Sequence, residues 1–292
     1  MNQDVQDCDI INRLFIWRRK DEKPSLSSNK NDEGMEFIKI PMVNNKRIDE
    51  NIVALLIRSN NKLSGNPVVI IAHGNGETID YYKQFANEFL PHGISVCIPD
   101  YRGYGYSDGE HGTASVNERE DIIAVYQYLK NQGFEKISYF GRSLGATCGI
   151  FLAAECPDLV CIALDSPWMS TIEWNQHMAQ EFYHIDADRY NELLPIVLSE
   201  IECDTEINFN EVEEPREAAS KITQPLFLMH GKYDDIIPPE NSDEFYGLIQ
   251  SQEKCFEPFD GNHNDERRTD IFYRMFKFIL HYNGIVMPSD NS

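Results

Sequence analysis

A serine between two glycines, in Gly141-Arg142-Ser143-Leu144-Gly145, is the residue most clearly placed for chemistry. The stretch 136–140 before it predicts a short buried strand, and the apolar run 146–154 after it predicts a helix. A sharp strand-to-helix turn exposes the serine hydroxyl, and its flanking positions are too crowded for side chains. The N-terminus of the helix also favours negative charge near Ser143. We therefore predict that Ser143 is a nucleophile.

A histidine is the expected partner, because a serine hydroxyl needs a base to take its proton. Among the eight histidines, only His263 and His281 follow the last predicted buried strand. His281 falls in an apolar-striped helix and is interpreted as structural. His263 falls in the turn-rich stretch 260–265, between the last strand and the last helix. We predict that His263 is the base.

A carboxylate must orient that histidine. Asp234 and Asp235 both follow the strand predicted at 225–229, and Asp165 ends the strand that follows the nucleophile's helix. We predict Asp234 as the acid, with Asp235 as the second candidate and Asp165 as the third.

Two backbone N–H groups are predicted to stabilise the oxyanion of a tetrahedral intermediate. One belongs to Leu144, which follows the nucleophile. The other belongs to Asn75, in the glycine-containing loop 73–77 after the strand predicted at 68–72. His73 in the same loop is interpreted as bracing the loop rather than as a second base.

No metal or cofactor is expected. No cluster of His, Cys and Asp has the spacing of metal ligands. Gly103-Tyr104-Gly105 has only a faint similarity to a nucleotide-binding loop, because no helix or lysine follows in the phosphate-binding arrangement.

The seven cysteines are scattered, so we interpret them as free thiols in a reducing compartment. The first ten residues contain no base and do not predict a secretory signal, so we expect a cytoplasmic protein.

Charge excludes further classes of function. The chain has 292 residues with 48 acids and 26 bases, and its net charge of −22 opposes nucleic-acid binding.

No apolar stretch approaches the roughly 18–20 residues of a membrane span. Residues 10–20 are apolar and then basic, and we interpret them as an element packed on the domain edge. A membrane-surface anchor with an acylated Cys8 is the disfavoured alternative, because stable anchoring needs two signals.

Alternating strands and helices predict a doubly wound, mostly parallel α/β sheet. Strands are predicted at 36–43, 48–59, 68–72, 94–98, 136–140, 159–164, 225–229 and 254–259, and the first two form a hairpin with a turn at 44–47. Helices are predicted at 79–91, 117–132, 146–154, 240–250 and 266–282. Residues 168–217 are predicted to be a helical insertion over the C-terminal edge of the sheet. The domain thus spans 36–283, after an extension and linker at 1–35 and before a tail at 284–292.

The order of these motifs resembles the α/β-hydrolase superfamily, in its eukaryotic branch of serine aminopeptidase-like, acylglycerol-lipase-like and depalmitoylase-like serine hydrolases. The matching stretches span about residues 36–283 and are 73–76, 100–107, 141–146, 165–167, 230–238 and 261–263. The resemblance implies the α/β-hydrolase fold and the same five site residues, namely Ser143, Asp234, His263, Asn75 and Leu144. Two features depart from the family: Asn262 stands where many relatives have glycine, and the insertion matches no known pattern.

A serine hydrolase that cleaves a carboxylic ester or thioester of a small or acylated substrate is the expected function. Four residues at the start of the insertion either line an acyl pocket or belong to the core: Trp168, Met169, Trp174 and Met178. A serine peptidase of the aminopeptidase or prolyl-oligopeptidase type is an alternative, since an acidic rim would attract a cationic amino terminus. A binding protein that has lost turnover is the third candidate, and the filled triad positions disfavour it.

Overall fold

The computed structural model describes residues 3–18, 23–24, 34–42 and 50–286. Its strands are β1 (Trp17–Arg18), β2 (Met35–Pro41), β3 (Asn51–Ile57), β4 (Val68–Ala72), β5 (Ser95–Asp100), β6 (His111–Gly112), β7 (Ile137–Arg142), β8 (Ile162–Asp165), β9 (Leu226–Gly231) and β10 (Lys254–Phe259). Its α-helices are α1 (Gln3–Phe15), α2 (Ile79–Tyr82), α3 (Ala86–Phe89), α4 (Val116–Asn131), α5 (Leu144–Glu155), α6 (Thr171–Tyr183), α7 (Ala187–Thr205), α8 (Pro215–Ala219), α9 (Glu240–Leu248) and α10 (Thr269–Tyr282).

Eight strands form one sheet in the order β10-β9-β8-β7-β4-β5-β3-β2. The six strands from β10 to β5 run parallel to one another, whereas β3 runs antiparallel to both β5 and β2. The predicted, mostly parallel sheet is therefore confirmed. The two strands of the predicted hairpin pair from Met35 opposite Ile57 to Pro41 opposite Asn51. The turn predicted at 44–47 lies outside the described residues.

Two apolar layers cover the faces of the sheet. Successive side chains of a strand point to opposite faces. In β4, Val68 and Ile70 belong to the layer that contains residues of α4 and α5, and Val69 and Ile71 belong to the layer that contains residues of α10. Burial on both faces explains why β4 is a continuous run of apolar residues. Such strands hold the loops at their carboxyl ends in fixed positions.

The insertion predicted at 168–217 contains α6, α7 and the start of α8, which ends at Ala219, and no strand lies between residues 168 and 217. Helix α1 packs on it: Ile11 and Phe15 share an apolar cluster with Tyr190 and Val197 of α7. Strand β1 then pairs with β6. For the described part of residues 10–20, these contacts agree with the packed-edge interpretation, and the contacts of α1 join the N-terminal segment to the insertion.

Two predicted helices differ from the observed ones. The helix predicted at 79–91 is broken into α2, α3 and two 3-10 turns, the second of which contains Pro91. Proline lacks the N–H that a helix interior requires. The last helix begins at Thr269 rather than at 266. Residues 262–267 form a loop instead, in which the Arg267 side chain donates to the carbonyl oxygens of Asn262 and Asp265. No helix of the described residues has the length and apolar character needed to cross a membrane.

Candidate active site

Ser143 lies at the sharp turn between β7 and α5 and has a strained backbone, with φ 54° and ψ −114°. Its N–H donates to the carbonyl of Asp165 at 2.8 Å. A Cβ atom on Gly141 would lie 2.3 Å from the carbonyl oxygen of Gly145, and one on Gly145 would lie 2.3 Å from that of Ala72. Both contacts are impossible for a side chain, so this turn requires the two glycines.

His263 bridges Ser143 and Asp234. Its Nε2 lies 3.1 Å from Ser143 Oγ, and its Nδ1 lies 2.7 Å from Asp234 Oδ2. The three residues come from the loops after β7, β9 and β10, which meet at one edge of the sheet. The geometry is that of a nucleophile, a base and an orienting carboxylate.

Asp234 is buried, and its carboxylate accepts several hydrogen bonds. Oδ1 accepts from the N–H groups of Ile236 and Ile237 at 3.0 and 2.8 Å. Burial raises the pKa of Asp234, but hydrogen bonds from His230 and His263 outweigh it and hold the pKa well below its usual range. An ionised carboxylate only accepts, so Nδ1 of His263 carries the hydrogen and the Nε2 lone pair faces the serine hydroxyl.

His230 contacts Asp234 from a second side. Its Nε2 lies 3.2 Å from Asp234 Oδ2 and 2.9 Å from the carbonyl oxygen of Ile237. Its Nδ1 lies 2.6 Å from Ser242 Oγ. Because Nε2 faces two acceptors, it carries the hydrogen, and Nδ1 accepts from the hydroxyl of Ser242. His230 lies in one of the stretches that resemble the family, but no motif in the sequence predicts its contact with Asp234.

The other candidate acids have different partners. Asp235 is exposed, and its N–H donates to Asn262 Oδ1 at 3.1 Å. Its carbonyl oxygen accepts from Nε2 of His177 in α6 at 2.8 Å, which brings the insertion against the loop after β9. Asp165 is fully buried and accepts from Arg267 Nε and Nη2 at 2.9 and 3.1 Å. Among the described residues, Asp234 is the one of the three candidates whose carboxylate contacts His263.

The loop after β4 approaches Ser143 at Gly74. A Cβ atom on Gly74 would lie 3.6 Å from Cβ of Ser143. The N–H of Gly74 donates to Glu77 Oε2 at 2.7 Å, so Glu77 occupies that donor. Asn75, the next residue, is exposed, and its Oδ1 accepts from the Tyr104 hydroxyl at 2.8 Å. Leu144 is the first residue of α5, where a helix leaves its N–H groups without an intrahelical acceptor.

The remaining histidine predictions concern His73 and His281. His73 is fully buried, and its Nδ1 lies 2.8 Å from the carbonyl oxygen of Gly74, as expected of a residue that braces the loop. His281 is exposed on α10. Within the described ranges, no group of three or more His, Cys, Asp or Glu side chains is arranged to hold a metal ion.

The tryptophans at the start of the insertion are buried. Trp168 and Trp174 stack with ring centroids 4.7 Å apart, and both belong with Met169 to the apolar layer that contains Leu144. This burial favours the core interpretation for the three residues. Met178 is only half-buried and packs against the same layer.

Comparison with known proteins gives one family match. Residues 65–199 match a hydrolase family described as serine aminopeptidase. The matched segment contains the loop after β4, the turn at Ser143 and the first part of the insertion. It ends before Asp234 and His263.

Three proteins of similar sequence come from bacteria. A 31.7 kDa protein from the traX-finO intergenic region of Escherichia coli is 26% identical over 250 residues, which are 72% of this chain and 87% of that protein. The YfhR protein of Escherichia coli K12 is 25% identical over 73% of this chain and 69% of its own length. YqkD of Bacillus subtilis is 26% identical over 67% of this chain and 64% of its own length. These relatives do not support the expected eukaryotic branch.

Solved structures of esterases share the fold. A Pyrococcus furiosus esterase superposes with a TM-score of 0.65 at 20% identity, covering 90% of this chain and 97% of that one. Acetyl xylan esterase 1 from Thermoanaerobacterium superposes with a TM-score of 0.61 at 16% identity, covering 96% of this chain and 94% of the other. The chain therefore has the α/β-hydrolase fold, and the family match also supports that superfamily.

Proposed function

We propose that the chain is a serine hydrolase that cleaves a carboxylic ester or thioester through an acyl-enzyme. The observation that carries this proposal is the continuous hydrogen-bonded chain from Asp234 through His263 to Ser143, with steps of 2.7 and 3.1 Å. The separation of His263 Nε2 and Ser143 Oγ is short enough for direct proton transfer between them. The strained turn that presents the serine is a second supporting feature.

The proposed reaction has two halves. Ser143 Oγ attacks the substrate carbonyl while His263 Nε2 takes the hydroxyl proton, and the ionised Asp234 stabilises the resulting imidazolium. The N–H groups of Asn75 and Leu144 donate to the oxyanion. The intermediate then collapses, and His263 gives its proton to the leaving alcohol or thiol. In the second half, water attacks the acyl-enzyme with His263 as the base, which releases the acid and restores Ser143.

An ester is the favoured substrate class, because the solved structures with this fold include esterases and a monoacylglycerol lipase of Paleococcus ferrophilus. We also propose a cytoplasmic location, in line with seven free cysteines.

A serine aminopeptidase is the second candidate. The family description favours it. The insertion also carries acids that would attract a cationic amino terminus: residues 181–217 contain twelve acids but only two bases, Arg189 and Arg216. The same catalytic residues would serve an amide, so the two candidates differ in the substrate and not in the triad.

Two substrate panels separate the candidates. One contains p-nitrophenyl esters from acetate to palmitate, and the other contains aminoacyl p-nitroanilides. We expect hydrolysis of the esters and loss of this activity in Ser143→Ala. The matched control is Ser138→Ala, on the same strand, where the hydroxyl accepts from Asn283 and lies away from the triad. Turnover of the anilides alone would favour the aminopeptidase. An unchanged rate in Ser143→Ala would reject both candidates.

A further inference from the structure

The side chain of Arg142, next to the nucleophile, joins two loops that flank the triad. Its Nη1 donates to Glu77 Oε1 at 2.6 Å, in the loop after β4. Its Nη2 donates to the carbonyl oxygen of His263 at 2.8 Å and to Asn264 Oδ1 at 3.2 Å, in the loop after β10. One guanidinium therefore connects the loop that holds Asn75 to the loop that holds His263.

Glu77 anchors the other end of this connection. Its Oε2 accepts from the N–H of Gly74 and from the hydroxyl of Tyr82, both at 2.7 Å. The Arg142 and Glu77 side chains are only 19% and 20% exposed, so the pair is shielded from solvent more than an ordinary surface ion pair. Since Gly74 precedes Asn75 directly, the carboxylate fixes the backbone beside the proposed oxyanion donor.

A different arginine holds the far side of the histidine loop. Arg267 pairs with the buried Asp165 and donates to the carbonyl oxygen of Asn262 at 3.3 Å. The carbonyl oxygens of Asn262 and His263 thus accept from different arginines. In the described part of the chain, Arg267 bonds to Asp165, Asn262 and Asp265 and not to the loop after β4. The link between the two loops is therefore made by Arg142.

We propose that Arg142 and Glu77 are positioning residues that set the location of the proposed oxyanion loop relative to His263. The proposal rests on the hydrolase function inferred above. Both loops act when charge develops in the transition state, so the link affects kcat more than KM. A displacement of about 1 Å at a reacting centre costs on the order of 100-fold in rate.

Kinetics of Glu77→Gln, Arg142→Met and the double variant test the link. We expect each single variant to lose about 10- to 100-fold in kcat for p-nitrophenyl acetate with KM changed less than about twofold. The double variant should be no slower than the slower single variant, because both changes break one connection. Arg142→Lys should recover part of the rate, since an ammonium reaches one partner but not both. Multiplicative losses in the double variant would overturn the proposal.

Amide hydrogen exchange provides a second readout that needs no catalysis. In Arg142→Met we expect faster exchange in both 73–78 and 260–267. The matched control is Arg274→Ala, which removes bonds of 3.1 Å to Glu257 and 3.3 Å to Asp270 away from the triad, and should leave both segments unchanged. Faster exchange in 260–267 alone would show that Arg142 does not link the loops. A wild-type protein without hydrolase activity would reject the proposed function, while the exchange result would still decide whether the link exists.

Discussion

The loops around Ser143 and the insertion with its partner α1 are held together by different forces. In the loops, polar side chains meet at hydrogen-bonding distance on the ends of buried strands, as His263 does with Asp234 at 2.7 Å. In the insertion, Phe15 of α1 is fully buried against apolar residues of α7 and the loop after it. Ion pairs from Arg189 to the exposed Asp4 and to the buried Asp7 add to that contact.

This difference separates chemistry from stability. Catalytic groups joined by hydrogen bonds lose rate when one of them is displaced by about 1 Å. An apolar contact instead contributes to the free energy of unfolding in proportion to the area that it buries. We therefore expect changes in the loops to affect kcat, and changes in the contact between α1 and the insertion to affect the free energy of unfolding. The predictions below test this contrast.

The largest effect is expected for the orienting acid. Asp234→Asn should lower kcat by about 10³- to 10⁴-fold, because an amide does not hold His263 in the tautomer that accepts the serine proton. Asp235→Asn is the matched control, because Asp235 is exposed and bonds through its backbone. It should stay within about twofold of the wild-type rate. Loss of activity in Asp235→Asn with a normal rate in Asp234→Asn would contradict the assignment of the acid.

A substitution in the contact between α1 and the insertion should lower the stability of the fold and leave kcat nearly unchanged. The ring of Phe15 lies 4.8 Å from that of Phe209. Phe15→Ala should lower the free energy of unfolding by about 3–5 kcal/mol, the usual cost of truncating a buried phenylalanine. The kcat for a small ester should change less than about threefold. Urea denaturation and steady-state kinetics on the same preparation measure both quantities. A large loss of kcat at unchanged stability would break the comparison.

Acid should weaken the contribution of Asp234 to stability. The folded pKa of Asp234 lies below that of an unfolded aspartate, about 3.9, so its stabilising contribution is complete above that value and is lost as the pH falls through the folded pKa. The difference in unfolding free energy between wild type and Asp234→Asn should therefore shrink below about pH 4. Denaturation curves from pH 7 to pH 3 measure it. A difference that is constant over this range would contradict the depressed pKa.

The smallest effect is expected where the two regions meet. Trp17, just after α1, stacks on Tyr104 at 4.3 Å, and the Tyr104 hydroxyl donates to Asn75. Trp17→Leu should cost about 0.5–1.5 kcal/mol of stability, the usual worth of an aromatic pair. It should lower kcat by no more than about threefold, because Asn75 is proposed to act through its backbone. Thermal melting and ester kinetics check this. A loss in kcat as large as that of Asp234→Asn would make Trp17 part of the catalytic machinery.

Those parts of the site that depend on a short stretch of sequence could be predicted from the sequence alone. The glycines around Ser143, the apolar runs of the strands and the polar loop around His263 each lie within a short stretch, and the structure brings Ser143 and His263 together. The residues alone favour Asp234 over Asp235 and Asp165 without excluding either, because only the spatial path of the loop after β9 distinguishes the three acids. Here the hydrogen bond to His263 favours Asp234.

Long-range contacts explain what the sequence could not show. The bond from Arg142 to the carbonyl oxygen of His263 joins residues 121 positions apart, and no pattern in either stretch names the partner. The packing of α1 on α7 likewise depends on two segments separated by most of the chain. The expectations for the extension at 1–35 are correspondingly coarse, and residues 1–2, 19–22 and 25–33 of it lie outside the described part of the chain.

Covalent labelling of Ser143 tests the central claim most directly. Wild type, Ser143→Ala and Ser138→Ala would be treated with a fluorophosphonate, and the adduct would be located by peptide mass spectrometry. We predict one adduct on Ser143 in wild type and in Ser138→Ala, and none in Ser143→Ala. A folded wild-type protein that gains no adduct, or one that carries it on another residue, would contradict the assignment of Ser143 as an activated nucleophile.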